Sequence, residues 1–170
     1  MKTFLIADTH FNHTNIIKYC NRPFKDINEM NETLIKNWNE VISKDDLVYH
    51  LGDFGFFNND ELKELLKLLN GTKILLLGNH DLRRVVTTWK DLGFKEVYKK
   101  EIRLGKYILT HRPIHVEEEF INIFGHIHEN ELYGNFNKDN HINISIDVTN
   151  FYPVLFSENE GIKLLNSKKI

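Results

Sequence analysis

The chain is 170 residues long, enough for one domain of ordinary size and too few for two. Its 41% hydrophobic, 12% aromatic and 27% charged residues exclude disorder and collagen, and no apolar run approaches the ~20 residues of a transmembrane helix. Twenty-two basic residues against 24 acidic ones leave a net charge of −2, so no global positive field exists to gather a long duplex nucleic acid.

The start, Met1 to Ala7, is followed at once by Asp8 and is too short for a signal peptide. A single cysteine, Cys20, cannot close an internal disulfide, and both features predict a cytoplasmic protein. Phe4 to Ala7 reads as a buried strand. A helix is predicted from about Asn28 to Ile42, where Ile27, Met30, Leu34, Trp38 and Val41 fall three or four apart. Leu47 to Leu51 is a second strand. Asn58 with Glu61 three residues on offers a capping box, and Leu62, Leu65, Leu66 and Leu69 repeat at helical spacing until Asn70-Gly71. Lys73 to Leu77 follows as a strand and Leu82 to Leu92 as a helix stopped by Gly93. Beyond it Glu96 to Tyr98, Glu101 to Leu104, Tyr107 to Leu109, Ile121 to Phe124 and His141 to Ile146 all read as strands. A helix-rich first half and a strand-rich second half predict an α/β protein with sheets packed between helices.

Nine histidines are the departure from ordinary composition, and their positions are not random. Five apolar runs end in residues that bind metals: Asp8 and His10; Asp53 after Gly52; Asn79, His80 and Asp81 after Gly78; His111 after Thr110; His126 and His128 after Gly125. Ligands gather at the carboxyl ends of strands in open α/β sheets, so the five ends converge if the strands share an edge. Carboxylate, imidazole and one amide without thiolate suit a hydrolytic divalent site better than a structural zinc. Seven ligands are too many for one catalytic ion that keeps an open position, and fit two ions sharing a carboxylate.

Asp8-Thr9-His10, Gly52-Asp53, Gly78-Asn79-His80-Asp81, His111 and Gly125-His126-Ile127-His128 resemble, in order and spacing, the five motifs of the calcineurin-like metallophosphoesterases. The wider wording, with His13 and Tyr49 to Phe54, resembles the small bacterial and phage members without a cap domain. The resemblance implies one domain over residues 1–170, a four-layer α/β/β/α sandwich, and hydrolysis of phosphate esters by a metal-bridging hydroxide. It also implies that Asp8, His10, Asp53 and His128 hold one divalent ion and Asp53, Asn79, His111 and His126 the other, with manganese foremost and iron, zinc, nickel or cobalt as alternatives. In that pattern His80 is no ligand but contacts the phosphoryl oxygen and protonates the leaving group, and adjacency suggests Asp81 as the residue that orients it.

Around this set the readings divide. His13 either contacts substrate or packs its loop, and Arg112 either clamps a phosphate or is solvated. Phe54, Phe56 and Phe57 either stack on a nucleobase or fill the core, Phe54 being the substrate candidate beside Asp53. His50, His115 and His141 read as structural. Glu117 to Glu119, Lys99-Lys100 and Lys168-Lys169 read as solvated charge, and Asp147 to Pro153 as rim or turn. A small or nucleotide-like phosphodiester is the expected substrate. A phosphomonoester at the same dinuclear site, or a non-catalytic scaffold of the same fold, are the rivals; the sequence says nothing of oligomeric state.

Overall fold

The computed structural model describes residues 1–165. Lys168 and Lys169 lie outside the described residues. The elements in chain order are β1 (Thr3–Ile6), α1 (Thr14–Tyr19), α2 (Ile27–Val41), β2 (Leu47–His50), α3 (Asn59–Leu68), β3 (Thr72–Leu76), α4 (Val86–Leu92), β4 (Glu96–Tyr98), β5 (Glu101–Leu104), β6 (Tyr107–Thr110), β7 (Ile121–Phe124), β8 (His141–Asn143), β9 (Val154–Ser157) and β10 (Gly161–Lys163). Short 3-10 turns occur at Asp81–Arg83, Lys138–Asn140 and Ile146–Val148.

The helices begin and end where local chemistry directs. The Asp26 side chain accepts from the Glu29 amide at 2.9 Å and opens α2, supplying a partner for one of the orphan amides of the first turn. At α3 the Asn58 and Glu61 side chains satisfy each other's backbone amides, at 2.9 and 3.1 Å, as the capping box predicts. The predicted helix from Leu82 starts later, because residues 81–83 form a 3-10 turn before α4.

Six strands form one sheet in the order β10-β9-β1-β2-β3-β4, and four form a second in the order β5-β6-β7-β8. Neighbours among β1, β2, β3 and β4 pair in parallel, as do β6, β7 and β8, whereas β9 runs antiparallel to β1 and β5 to β6. Strands that alternate between two apolar faces give two cores. Phe4, Ile6, Val48, Leu75 and Leu77 face Ile16, Met30, Leu34, Trp38, Leu62, Leu66 and Trp89 of the four helices. Leu5, Leu51, Ile74 and Leu76 meet Leu109, Ile123 and Ile144 between the sheets. The far side of the second sheet carries the third layer of packing, where His141 contacts Phe124 and Phe136 and reaches the Ile114 carbonyl. The fold is thus α/β with two packed sheets, as expected, and has four α-helices among the described residues. No helix among the described residues is long and apolar enough to cross a membrane.

Three local expectations change. The run His141 to Ile146 is not one strand: β8 ends at Asn143, and Ser145 then bridges Ala7, tying the two sheets together. Helix α1 is an addition to the expected elements, since Ile16 is its one fully buried side chain and no side chain caps it. Strands β9 and β10 are additions too, and extend the first sheet beyond β1.

Candidate metal centre

Parallel pairing puts the carboxyl ends of β1, β2 and β3 at one edge of the first sheet and those of β6 and β7 at one edge of the second. Backbone hydrogen bonds stitch these ends together: the Asp8 amide donates to the Gly52 carbonyl, His10 to Asp53, and Gly125 to His111, all at 3.0 Å. The five predicted motifs therefore meet. Glycine is required at the tightest of these approaches. A Cβ on Gly52, whose φ is +98°, would lie 2.6 Å from the His111 ring nitrogen, and one on Gly125 would overlap the Asp8 carboxylate.

The side chains form two groups. Asp8, His10 and His128 offer ligand atoms within 4.8 Å of one another, and so do Asp53, His111 and His126. Asp53 stands between them: its Oδ2 is 3.6 Å from His10 Nε2 and 3.5 Å from His111 Nε2. Asn79 joins the second group through a contact of 3.0 Å between its Oδ1 and His111 Nε2. Asp8, His10, Asp53, His126 and His128 all have positive φ, between 49° and 70°. Each such residue costs roughly 1–2 kcal/mol, a total comparable with the net stability of a domain, so the surroundings must hold this geometry firmly.

Asp8 Oδ1 and both ring nitrogens of His10 are buried without a hydrogen-bond partner. Buried polar atoms are almost always satisfied, and a carboxylate oxygen and an imidazole nitrogen facing one space are what a divalent cation satisfies. The residues present thus fit a metal. Electrostatics agree. Burial, with Arg22 and His128 nearby, drives the His10 pKa far down and keeps its ring neutral, while burial raises Asp8 to about 6. His126 falls to about 4, chiefly through burial and His111.

Two residues that carry no motif build the support for the first group. Arg22, 4% exposed, donates to the Asp8 and Thr9 carbonyls at 2.8 and 3.0 Å and to both carboxylate oxygens of Asp147. Asp147 in turn accepts from His128 Nδ1 at 2.7 Å, which leaves Nε2 to face the site. Burial alone would lower the His128 pKa, but hydrogen bonds from its ring to Asp147 and Cys20 and the nearby carboxylates raise it to about 10. Arg22 and Asp147 are 125 positions apart, and neither Arg-Pro nor Asp-Val-Thr marks a site; only the three-dimensional fold reveals the pair. Cys20 groups with His128 and Asp147 within 4.8 Å, but Asp147 is already engaged by Arg22. In the second group His111 Nδ1 donates to the Leu51 carbonyl at 2.9 Å, fixing Nε2 toward Asp53.

The structure places the remaining predicted residues unevenly. His80 sits on the rim with its Nε2 3.9 Å from Asp53 Oδ2 and its side chain 42% exposed, and its amide donates to Asp53 Oδ1 at 2.9 Å. Asp81 does not orient the His80 ring. Its buried carboxylate accepts from the amides of Gly78, Asp53 and Phe54 at 2.7 to 3.0 Å, because the 3-10 turn directs it under the chain that carries Asp53. Burial raises Asp81 to about 6 against these hydrogen bonds.

Phe54 is likewise not a substrate contact. It is fully buried against Phe11, Phe57, His50 and Phe94, since the loop after Asp53 turns it into the helical core. Phe56, two residues on, is the half-exposed aromatic: its ring lies 4.5 Å from His13 and 5.6 Å from His80, and the Arg83 guanidinium lies 4.7 Å from it. His13 faces the site, 5.4 Å from the His10 ring. Arg112 is exposed and donates to Asn79 Oδ1 at 3.3 Å. His50 is structural as read, bonded to Thr9 and the Gly52 amide and lowered to about 3 by burial. A cleft of about 330 Å³ opens above the groups, lined by His13, Tyr19, His80, His126, His128 and Asn130 among others.

Comparison with known proteins is in keeping with this arrangement. The family model described as calcineurin-like phosphoesterase matches residues 1–167. An uncharacterised protein of Methanocaldococcus jannaschii is 43% identical, over 99% of this chain and 94% of its own length. The Gene 66 protein of Mycobacterium phage L5 is 34% identical over 46% of this chain and 39% of its own. The crystal structure of a protein of unknown function from Aquifex aeolicus superposes with a TM-score of 0.68 at 26% identity, covering 91% of this chain and 95% of that one. With five motifs meeting where the edges of the two sheets come together and a match over residues 1–167, this chain belongs to the calcineurin-like phosphoesterase family.

Proposed function

We propose that the chain is a dinuclear phosphodiesterase acting on small, nucleotide-like esters. Membership of the family implies metal-dependent phosphoester hydrolysis; the dinuclear part of the reading rests on one observation, the position of Asp53 Oδ2 about midway between His10 and His111. Asp8, His10, Asp53 and His128 would hold one divalent ion and Asp53, Asn79, His111 and His126 the other, manganese being the expected metal. Two such ions supply neutralisation of the phosphoryl oxygens and an acidified water nucleophile. The chain supplies the rest. His80, on the rim beside Asp53, donates a proton or hydrogen bond to the departing oxygen. Arg112 offers its guanidinium to a non-bridging phosphate oxygen. Phe56, with His13 beside it, offers a face on which a base can stack. Asp81 acts from below by fixing the Asp53 backbone. Leaving Cys20 a free thiol suits the reducing interior of a cell.

The test is turnover after manganese loading, with bis(p-nitrophenyl) phosphate against p-nitrophenyl phosphate. Faster hydrolysis of the diester is expected. Preference for the monoester would make the protein a phosphomonoesterase, and tight metal binding without turnover of any ester would make it a scaffold.

A further inference from the structure

Past Asn79 the cleft continues into a second concavity of about 360 Å³, lined by Gly78, Leu82, Lys99, Lys100, His111 and Arg112 among others. Asn79 walls both spaces. We propose that this groove binds a second phosphate of the substrate, separated by several bonds from the scissile one. The inference rests on the phosphodiesterase reading above and names the substrate class more closely.

Charge carries the argument. The residues lining the groove include three cations and no carboxylate, although the whole chain is net acidic. Among the described residues neither Lys99 nor Lys100 has an ion pair, while cations on either side of them do: Lys90 with Glu96 and Arg103 with Glu101, at 2.6 and 2.9 Å. Arg112 is held toward the centre by Asn79 Oδ1. The two lysines sit in the turn between β4 and β5, where the chain passes from one sheet to the other, and strand pairing on both sides fixes that turn. Leu77, Leu82 and Ile114 form an apolar wall that strengthens the field of the cations over what open water would allow. His13 and His80, with Phe56 packed against both, border the first cleft and the cations the second, so a base on one side and a further phosphate on the other would flank the reacting group.

Equilibrium binding of thymidine 3′,5′-bisphosphate and thymidine 5′-monophosphate to the manganese-loaded protein tests this without turnover. The bisphosphate should bind at least about tenfold more tightly, and the preference should shrink with added salt. In the K99Q/K100Q variant it should fall to less than about threefold. Equal affinity of the two nucleotides for the native chain, or an undiminished preference in the variant, would overturn the proposal. A 5′-phosphorylated thymidine dinucleotide with a non-hydrolysable methylene-phosphonate link is the third probe: tighter binding than the bisphosphate assigns the groove to a strand's backbone, weaker binding to a terminal phosphate. Hydrolysis of thymidine 5′-(p-nitrophenyl phosphate), followed in parallel, reports on the phosphodiesterase reading separately.

Discussion

The two halves of the centre are built on different principles. Around Asp8 and His10 the ligand atoms are buried and three have no partner, while Arg22 and Asp147 lock the backbone and the half-buried His128 imidazole from behind. Around Asp53, His111, His126 and Asn79 the lone pairs of His111 Nε2 and Asn79 Oδ1 face each other at 3.0 Å, Arg112 donates to Asn79 Oδ1 from outside, and His126 and Asn79 are only half-buried. An ion entering the first half loses no protein hydrogen bond and gains unsatisfied donors. An ion entering the second faces solvent through the half-buried His126 and Asn79. The first half should therefore bind the tighter, structural-like ion and the second the exchangeable one beside the substrate.

Asp53 belongs to both halves, so its change erases the distinction. Asp53→Asn should lower the affinity of both ions and the rate by more than about 100-fold, read by metal analysis alongside turnover. Loss of one ion alone would remove Asp53 from the bridging position. His80 belongs to neither half. His80→Ala should keep both ions yet lower kcat by about 10² to 10⁴, less for an aryl leaving group than for a nucleoside one. Equal losses on the two esters would place His80 on the phosphoryl oxygens instead of the leaving group.

The proposed metal ligands are legible in the sequence because each closes an apolar run, and Asp or His at the end of such a run, on an edge shared by several strands, points toward a common ligand. Phe54 and Asp81 mislead for the same reason in reverse: adjacency to a ligand says nothing about which way the next side chain turns. The Asp53-Phe54-Gly55-Phe56 loop sends Phe54 inward and Phe56 against His13 and His80, and a loop has no fixed period from which to read this. Arg22 and Asp147 are invisible in the sequence, since a buried ion pair across 125 positions leaves no local pattern. Helix α1 is one and a half turns with a single buried anchor, too short for periodicity to register. Strands β9 and β10 lie beyond the stretch that reads as rim or turn, and the pairing of β9 with β1 and of β10 with β9 is a property of the sheet.

The support behind the first half is where the comparison can be sharpened. Asp147→Asn should weaken the first ion about 10- to 100-fold and leave the second nearly untouched. It should also change the pH dependence. With His128 raised to about 10 in the metal-free protein, its pairing with Asp147 stabilises the fold fully below its unfolded pKa of about 6.5 and is lost as pH rises through the folded value. Metal competes with that proton, so affinity for the first ion should climb from about pH 6.5 toward about 10 in the native chain and climb less in the variant. Calorimetric titrations in buffers of different ionisation enthalpy would measure the proton released. An identical pH profile in both proteins would separate Asp147 from His128.

The smallest effects concern the two phenylalanines. Phe54→Ala should cost about 3–5 kcal/mol of stability and affect all substrates alike. Phe56→Ala should spare stability and raise KM for a nucleoside ester by about 1–3 kcal/mol, with bis(p-nitrophenyl) phosphate little changed. A similar loss on both esters would leave Phe56 without a base to stack.

The central claim is that one carboxylate joins two unlike metal sites. Electron paramagnetic resonance during a manganese titration tests it most directly. A first equivalent should bind tightly and give the six-line spectrum of an isolated ion, and a second should replace it with the broadened multiline spectrum of an exchange-coupled pair, absent from Asp53→Asn. Saturation at one ion per chain, or two ions that stay magnetically independent, would contradict the account.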